Sequence, residues 1–327
     1  MQLKEIDLSL IIPVFNEEEN LPFLYQEIKE VLNSLVRSYE IIFVDDGSTD
    51  NSFTILRKIQ AADPSVKLIR LRRNFGQTAA LSAGFDYARG KIIITLDADL
   101  QNDPHDIPAL LAKIEEGYDM VNGWREKRQD KFLTRRLPSI LANRLISLLT
   151  GVRLHDYGCT LKAFRQDVIK NIRLYGELHR FIPAVASTLG VKIAEVKVNH
   201  RPRRYGRSKY NLFRFPRVIL DMLTVKFLLS YSTRPLQIFG LLGLVSGSIG
   251  FFIALWLSYQ RLILKISSAN RPILLLAVLL MVIGVQFITL GLMAEIMIRT
   301  YHESTGKPIY HIREIVDHEH SESSCES

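Results

Sequence analysis

The sequence predicts an α/β domain on a mainly parallel sheet, followed by a hairpin of two membrane-length helices. Three observations carry this. Short apolar runs alternate with helix-length amphipathic segments through the first half of the 327 residues. Several of these runs are continuously apolar and β-branched, such as Ile92-Ile93-Ile94, which suits strands buried on both faces. Finally, charged residues recur every few positions up to residue 231 but vanish from Pro235 to Gln260 and from Pro272 to Ala294.

Taken in order, the expected strands are Leu8–Phe15, Glu40–Val44, Lys67–Leu71, Lys91–Leu96, Asp119–Asn122 and Val191–His200. Helices are expected near 20–36, 50–61, 76–89 and 106–116. Alternation of this kind places ligands at the carboxyl ends of the strands, where the polar motifs fall. Two later stretches, 132–149 and 211–231, are amphipathic with basic polar residues. Such helices either pack on a soluble core or lie in a membrane interface.

A bilayer core needs about 20 apolar residues in a helix, and both uncharged runs reach that length. Two crossings return the chain to its starting side. Arg214, Arg217, Lys226, Arg234 and Arg299 flank the hairpin there, against Arg261, Lys265 and Arg271 in its loop, which favours the cytoplasm. Lys4, Glu5 and Asp7 before the first strand do not resemble a secretory signal. The two cysteines, Cys159 and Cys325, make no disulfide framework. The expected organisation is an α/β domain over 1–210, interfacial helices over 211–231, and the spans within 232–300 (about 235–260 and 272–298). A cytoplasmic tail covers 301–327, disordered from His318 onward. The net charge of +8 is concentrated at 125–136 and 201–209 without a nucleic-acid-binding motif, so an anionic membrane surface or a phosphate is the expected partner rather than nucleic acid.

Three strands end in acidic, turn-forming residues: Pro13-Val-Phe15-Asn16-Glu17, Val44-Asp45-Asp46-Gly47-Ser48 and Asp97-Ala-Asp99-Leu-Gln101. Carboxylates at the first two can accept hydrogen bonds from a ribose or a pyrimidine imino group, although Asn16 or Ser48 could also start the next helix. Two carboxylates one residue apart suit Mg²⁺ or Mn²⁺, which prefer oxygen ligands. Asp103-Pro104 reads as a helix N-cap with proline at the first helical position.

These motifs, in this order, resemble family 2 glycosyltransferases with a GT-A (Rossmann-like) fold. Within them the sequence is similar to the polyisoprenyl-phosphate branch, with its dolichol-phosphate mannose synthases and GtrB-type bactoprenol glucosyltransferases, the latter sharing the C-terminal pair of spans. The resemblance covers residues 6–315. It implies nucleotide contacts from Pro13, Phe15, Glu17 and Asp45, and a Mg²⁺ or Mn²⁺ ion among Asp97, Asp99 and Gln101. It implies an acceptor lipid phosphate held by Arg125, Arg135 and Ser139. It also places the loop carrying Arg203, Ser208 and Lys209, which can donate to a pyrophosphate, over the donor. Asp156, in His155-Asp156-Tyr157-Gly158-Cys159, corresponds to an acidic residue near the sugar that is often called the base. A phosphate monoester has a second pKa of about 6, so the acceptor is already largely ionised and Asp156 has as good a case for positioning as for base catalysis.

The implied reaction is inverting transfer of a hexose, glucose from UDP-glucose first, to polyprenyl (undecaprenyl) phosphate at the cytoplasmic face of a bacterial plasma membrane. GDP-mannose, UDP-galactose or an aminosugar donor are the alternatives. A processive polysaccharide synthase would carry a Gln-x-x-Arg-Trp motif, which this chain lacks. A non-catalytic nucleotide-sugar-binding subunit would not need the cation ligands and both phosphate-binding groups. In the first span, Gly243-x-x-x-Gly247 allows close approach of helices, within the chain or between subunits of a homo-oligomer.

Overall fold

The computed structural model describes residues 5–126, 147, 151–172, 174, 178–187, 189–202, 235–264, 272–304 and 310–317. The helices expected at 132–149 and 211–231, the tail from His318, and the site residues Arg135, Ser139, Arg203, Ser208 and Lys209 lie outside them. The chain divides into two units, one holding residues 1–225 and 308–327 and the other residues 226–307.

The first unit is organised by one sheet. Its strands are β1 (Leu8–Val14), β2 (Tyr39–Asp45), β3 (Val66–Leu71), β4 (Ile92–Thr95), β5 (Met120–Trp124), β6 (Lys162–Arg165), β7 (Ile193–Lys197) and β8 (Ile312–Val316). They lie in the order β7-β5-β6-β4-β1-β2-β3-β8. Parallel pairing joins β1 to β2 and β4, β2 to β3, and β5 to β7. Strands β6 and β8 run antiparallel to their neighbours. The continuous apolar runs have the environment expected of them: Leu10, Ile11 and Ile12 on β1, and Ile41 through Val44 on β2, are wholly buried. Each such side chain contributes about 1.5–3 kcal/mol by leaving water.

The crossover helices are α1 (Leu21–Ser34), α2 (Ser52–Ala62), α3 (Gln77–Tyr87) and α4 (Ile107–Glu115). Short helices α5 (Gln166–Lys170) and α6 (Ile182–Ser187) follow β6. A 3₁₀ turn over Pro104–Asp106 leads into α4. Asp103 accepts a hydrogen bond from the His105 N–H, the capping role expected of it. The idea that Asn16 or Ser48 starts a helix is corrected. Asn20 and Asn51 stand at the N-termini of α1 and α2. Asn16, at φ 55°, instead ties two strand ends together: its N–H donates to Ser48 Oγ, and its Oδ1 accepts from the Thr49 N–H. Asparagine tolerates this left-handed backbone better than most residues.

Two strands escape the sequence reading. Strand β6 is only four residues long. Strand β8 falls in the stretch expected to be a tail, yet it pairs with β3 and so forms an edge of the sheet. Tyr310 just before it is buried and donates to Asp86 Oδ2 at 2.8 Å, and Lys67 pairs with Asp317 at 2.9 Å.

The second unit is that hairpin: α7 (Pro235–Leu262) and α8 (Pro272–Ser304). Only 17% and 11% of their apolar windows are buried, which distinguishes them from core helices of a soluble protein. They are long and apolar enough to cross a membrane. Gly243 and Gly250 pack within the chain, whereas a Cβ on Gly247 would meet nothing within 4 Å. A Cβ on Gly243 would lie 2.6 Å from the Gly284 carbonyl oxygen, and one on Gly250 would lie 2.6 Å from that of Ala277.

Candidate active site

The sheet has its switch point between β1 and β4, because β2 and β3 extend from one side of β1 while β4 lies on the other. Ligands in open α/β sheets bind at the carboxyl edge beside such a point. The acidic motifs of β1, β2 and β4 all emerge at this edge. So does Arg125 after β5, and the antiparallel β6 brings the Asp156–Lys162 segment to the same side.

At the end of β4 stand Asp97 and Asp99, both half-buried. Burial pushes the Asp97 carboxyl up to about 7, and the charge of Asp99 adds to the effect, while Thr160 and Arg125 oppose it and Glu17 reinforces it. The residues expected to serve nucleotide, cation and acceptor thus all act on one carboxylate. Two neighbouring carboxylates in mutual repulsion fit a divalent cation of the Mg²⁺ or Mn²⁺ class, which prefers oxygen ligands. The Gln101 N–H donates to Asp99 Oδ1 at 3.2 Å. Leu100, between them, has φ 59°, a left-handed backbone that is strained for a leucine and bends the chain so that this amide turns back on Asp99.

A second acidic group consists of Glu27, Asp103 and His105. The Arg201 guanidinium reaches Glu27 and Asp103 at 2.7 Å each, and His105 Nδ1 lies 2.9 Å from Asp103. The cation of this cluster is therefore an arginine, and the group reads as a structural ion-pair network.

At the end of β2, Asp45 is wholly buried, accepts from the Ser48 N–H at 3.1 Å and lies 3.4 Å from Arg70 Nε. Its second oxygen receives no hydrogen bond, only the charge of Arg70. Pro13 lines a small cavity together with Thr95, Asp97, Thr160, Lys162 and His179. Phe15 is half-buried beside it in sequence, and Glu17 accepts from Asn20 Nδ2.

The structure adds residues to the site that no motif marks. Gln77, first in α3, donates from Nε2 to Asp97 Oδ1 at 2.7 Å and so orients a proposed cation ligand. Asp46 accepts from the N–H groups of Phe75 and Gly76 at 2.7 and 2.9 Å, holding the loop that leads to Gln77. Burial pushes its carboxyl up to about 6 against those two amides, with Asp45 adding to the rise. His179 bonds Thr78 in the interior at 2.7 Å. The available signal was positional: Gly76-Gln77 follows β3 at the carboxyl edge as a helix start.

The structure joins Arg125 and Asp156, two residues expected to have separate roles. Arg125 Nε donates to Asp156 Oδ2 at 2.7 Å and Nη2 to Oδ1 at 3.0 Å, a bidentate pair with side chains 12% and 3% exposed. Next to it, the Trp124 and His155 rings stack at 4.2 Å.

A strand-end carboxylate pair at the switch point of a mostly parallel sheet, with an arginine–carboxylate pair across the same edge, defines a GT-A-type glycosyltransferase domain. The glycosyl transferase family 2 model matches residues 9–173. Over 319 residues the chain is 44% identical to the dodecaprenyl-phosphate galacturonate synthase of Rhizobium johnstonii, covering 96% of this chain and 94% of that one. It is 40% identical over 311 residues to the undecaprenyl-phosphate 4-deoxy-4-formamido-L-arabinose transferase of Proteus mirabilis, covering 94% of each. In fold it matches the Mycobacterium tuberculosis glucosyl-3-phosphoglycerate synthase, solved with Mn²⁺ and UDP, with TM-score 0.53 and 19% identity over 68% of this chain and 80% of that one. The chain belongs to glycosyl transferase family 2, among its polyprenyl-phosphate glycosyltransferases.

Proposed function

We propose that the protein transfers a sugar from a nucleoside diphosphate to the phosphate of a polyprenyl lipid, undecaprenyl phosphate in the first instance, at the cytoplasmic face of a membrane. The observation that carries this is the placement at one edge of the sheet of the strand ends that bear Glu17, Asp97 with Asp99, and Arg125. The full-length relatives with polyprenyl-phosphate acceptors and the two membrane-length helices support the choice of acceptor. The basic residues flanking the hairpin support the orientation.

An acceptor phosphate oxygen attacks the anomeric carbon as the bond to the diphosphate breaks, inverting the configuration. Asp97 and Asp99, with Gln101, would hold Mg²⁺ or Mn²⁺, whose chemistry when bound is to neutralise the departing diphosphate. Gln77 orients Asp97 for this. Pro13, Phe15, Glu17 and Asp45 receive the nucleoside, and Arg203, Ser208 and Lys209 its pyrophosphate. Arg125, with Arg135 and Ser139, receives the acceptor phosphate. Asp156 holds the guanidinium of Arg125 on both its oxygens and so acts by positioning that group rather than by taking a proton. For the sugar, the relatives named above favour a uronic acid or a 4-substituted pentose over the glucose that the sequence put first.

The test is incubation of the purified protein with undecaprenyl phosphate, Mg²⁺ or Mn²⁺, and labelled UDP-galacturonate, UDP-4-deoxy-4-formamido-L-arabinose, UDP-glucose or GDP-mannose. One donor is expected to give an acid-labile glycolipid, and no glycolipid from any of them refutes the reading. Asp99→Asn should abolish turnover in a folded protein; undiminished turnover with an unchanged metal requirement would remove the cation assignment.

A further inference from the structure

Lys162 opens β6 in the middle of the sheet, in register with Thr95 of β4 on one side and Asn122 of β5 on the other. It is 3% exposed, and the charges of Asp156 and Glu195 favour its ammonium form. Its partners are neutral: Asn122 Oδ1 and the Tyr157 carbonyl, the latter at 3.2 Å. A buried ammonium on neutral acceptors is costly, and a methionine would fill the space without that cost. Burial accordingly draws the amine down to about 8.

The hydrogen bonds show what the ammonium accomplishes. Lysine has donors only, so Asn122 must turn its oxygen toward it. That orientation points Asn122 Nδ2 at the carbonyl of Asp156, 2.8 Å away, and at that of Gly123, 3.0 Å away. Two successive carbonyls, of Asp156 and Tyr157, are thereby fixed, one through Asn122 and one directly. On the far side of the same turn the Gly158 N–H donates to Asp156 Oδ1 at 3.2 Å, and the carboxylate meets Arg125.

We propose that Lys162 is a positioning residue for sugar transfer, fixing the Asp156–Gly158 turn through Asn122 and the Tyr157 carbonyl so that Asp156 presents Arg125 to the acceptor phosphate. This rests on the acceptor reading given above. The chain Lys162–Asn122–Asp156–Arg125 runs from the interior of the sheet to the reacting edge. A displacement of about 1 Å at a group that orients a reactant can cost on the order of 100-fold in rate.

The experiment compares Lys162→Met, Lys162→Arg and Asn122→Ala with wild type in detergent. It measures kcat and KM for polyprenyl phosphate, Kd for UDP and GDP by calorimetry, and the structure of the Lys162→Met or Asn122→Ala protein. The expected result is a loss of about 30- to 100-fold in kcat/KM for the acceptor with nucleotide Kd within about twofold of wild type. Asn122→Ala should show the same defect, and Lys162→Arg should recover part of the activity. Equal losses of nucleotide and acceptor affinity would mean a merely structural role, and acceptor kinetics within twofold of wild type would likewise overturn the proposal. If Lys162→Met fails to fold, Asn122→Ala decides alone. Wild type that glycosylates no polyprenyl phosphate would refute the acceptor reading instead. In that event the variant structure decides about Lys162: an Asp156 turn and Arg125 pair left in place overturn the inference, and a displaced turn upholds it.

Discussion

Removing both members of the Arg125–Asp156 pair should cost clearly less than the sum of the two single losses. The two hydrogen bonds, at 2.7 and 3.0 Å, are charge-assisted, and the side chains are 12% and 3% exposed. Bonds of this kind contribute roughly 1.5–3 kcal/mol each, and leaving one buried charge without its partner costs about 3–5 kcal/mol. Arg125 is at the open edge of the sheet and can recover some hydration, so the coupling expected from Arg125→Ala, Asp156→Ala and the double variant is about 2–4 kcal/mol. Chemical denaturation of the detergent-solubilised protein measures it. A coupling below about 0.5 kcal/mol, the range of independent sites, would refute the argument. Steady-state kinetics supply a second, separate check. If Asp156 positions Arg125, Asp156→Asn should raise the KM for polyprenyl phosphate as Arg125→Ala does. It should also leave the acid limb of the pH–rate profile near 6, because that limb belongs to the acceptor's own second ionisation. Disappearance of the limb in Asp156→Asn would restore the general-base role.

Two further predictions concern stability. Gly243→Leu should destabilise the hairpin by about 1–3 kcal/mol, since its Cβ would meet the Gly284 carbonyl oxygen at 2.6 Å and Ile288 Cγ1 at 2.7 Å; thermal unfolding of the second unit in detergent measures this, and an unchanged Tm would place the glycine outside the packing contact. Burial alone would raise the Asp63 carboxyl, but hydrogen bonds from Ser65, Lys29 and Tyr25 outweigh it and hold it down at about 2. The folded pKa lies below the unfolded value of 3.8, so the contribution is complete above pH 4 and lost as pH falls toward 2. Asp63→Asn should therefore cost about 2 kcal/mol at pH 7 and progressively less below pH 4; a pH-independent difference would contradict the linkage.

The sequence by itself determined the elements and the ligand edge. The runs at Leu8, Tyr39, Val66, Ile92 and Met120 declare buried strands through their apolar continuity, and the acidic turns after them mark the edge, because both signals are written within a few adjacent residues. The two uncharged stretches declare the hairpin for the same reason. Only the tertiary structure decided who meets whom. Strand β6 has four residues and no alternation to betray it, yet its antiparallel insertion between β4 and β5 sets Lys162 against Asn122 and brings Asp156 to Arg125, 31 positions away. Strand β8 carries Arg313 and Glu314 among its few apolar residues, which suits an edge strand and conceals it in sequence. Gln77 reaches Asp97 across 20 positions with no local pattern to announce it. Periodicity and turn chemistry are properties of neighbours along the chain. A hydrogen bond between distant strands is fixed only when the whole sheet has chosen its order and register.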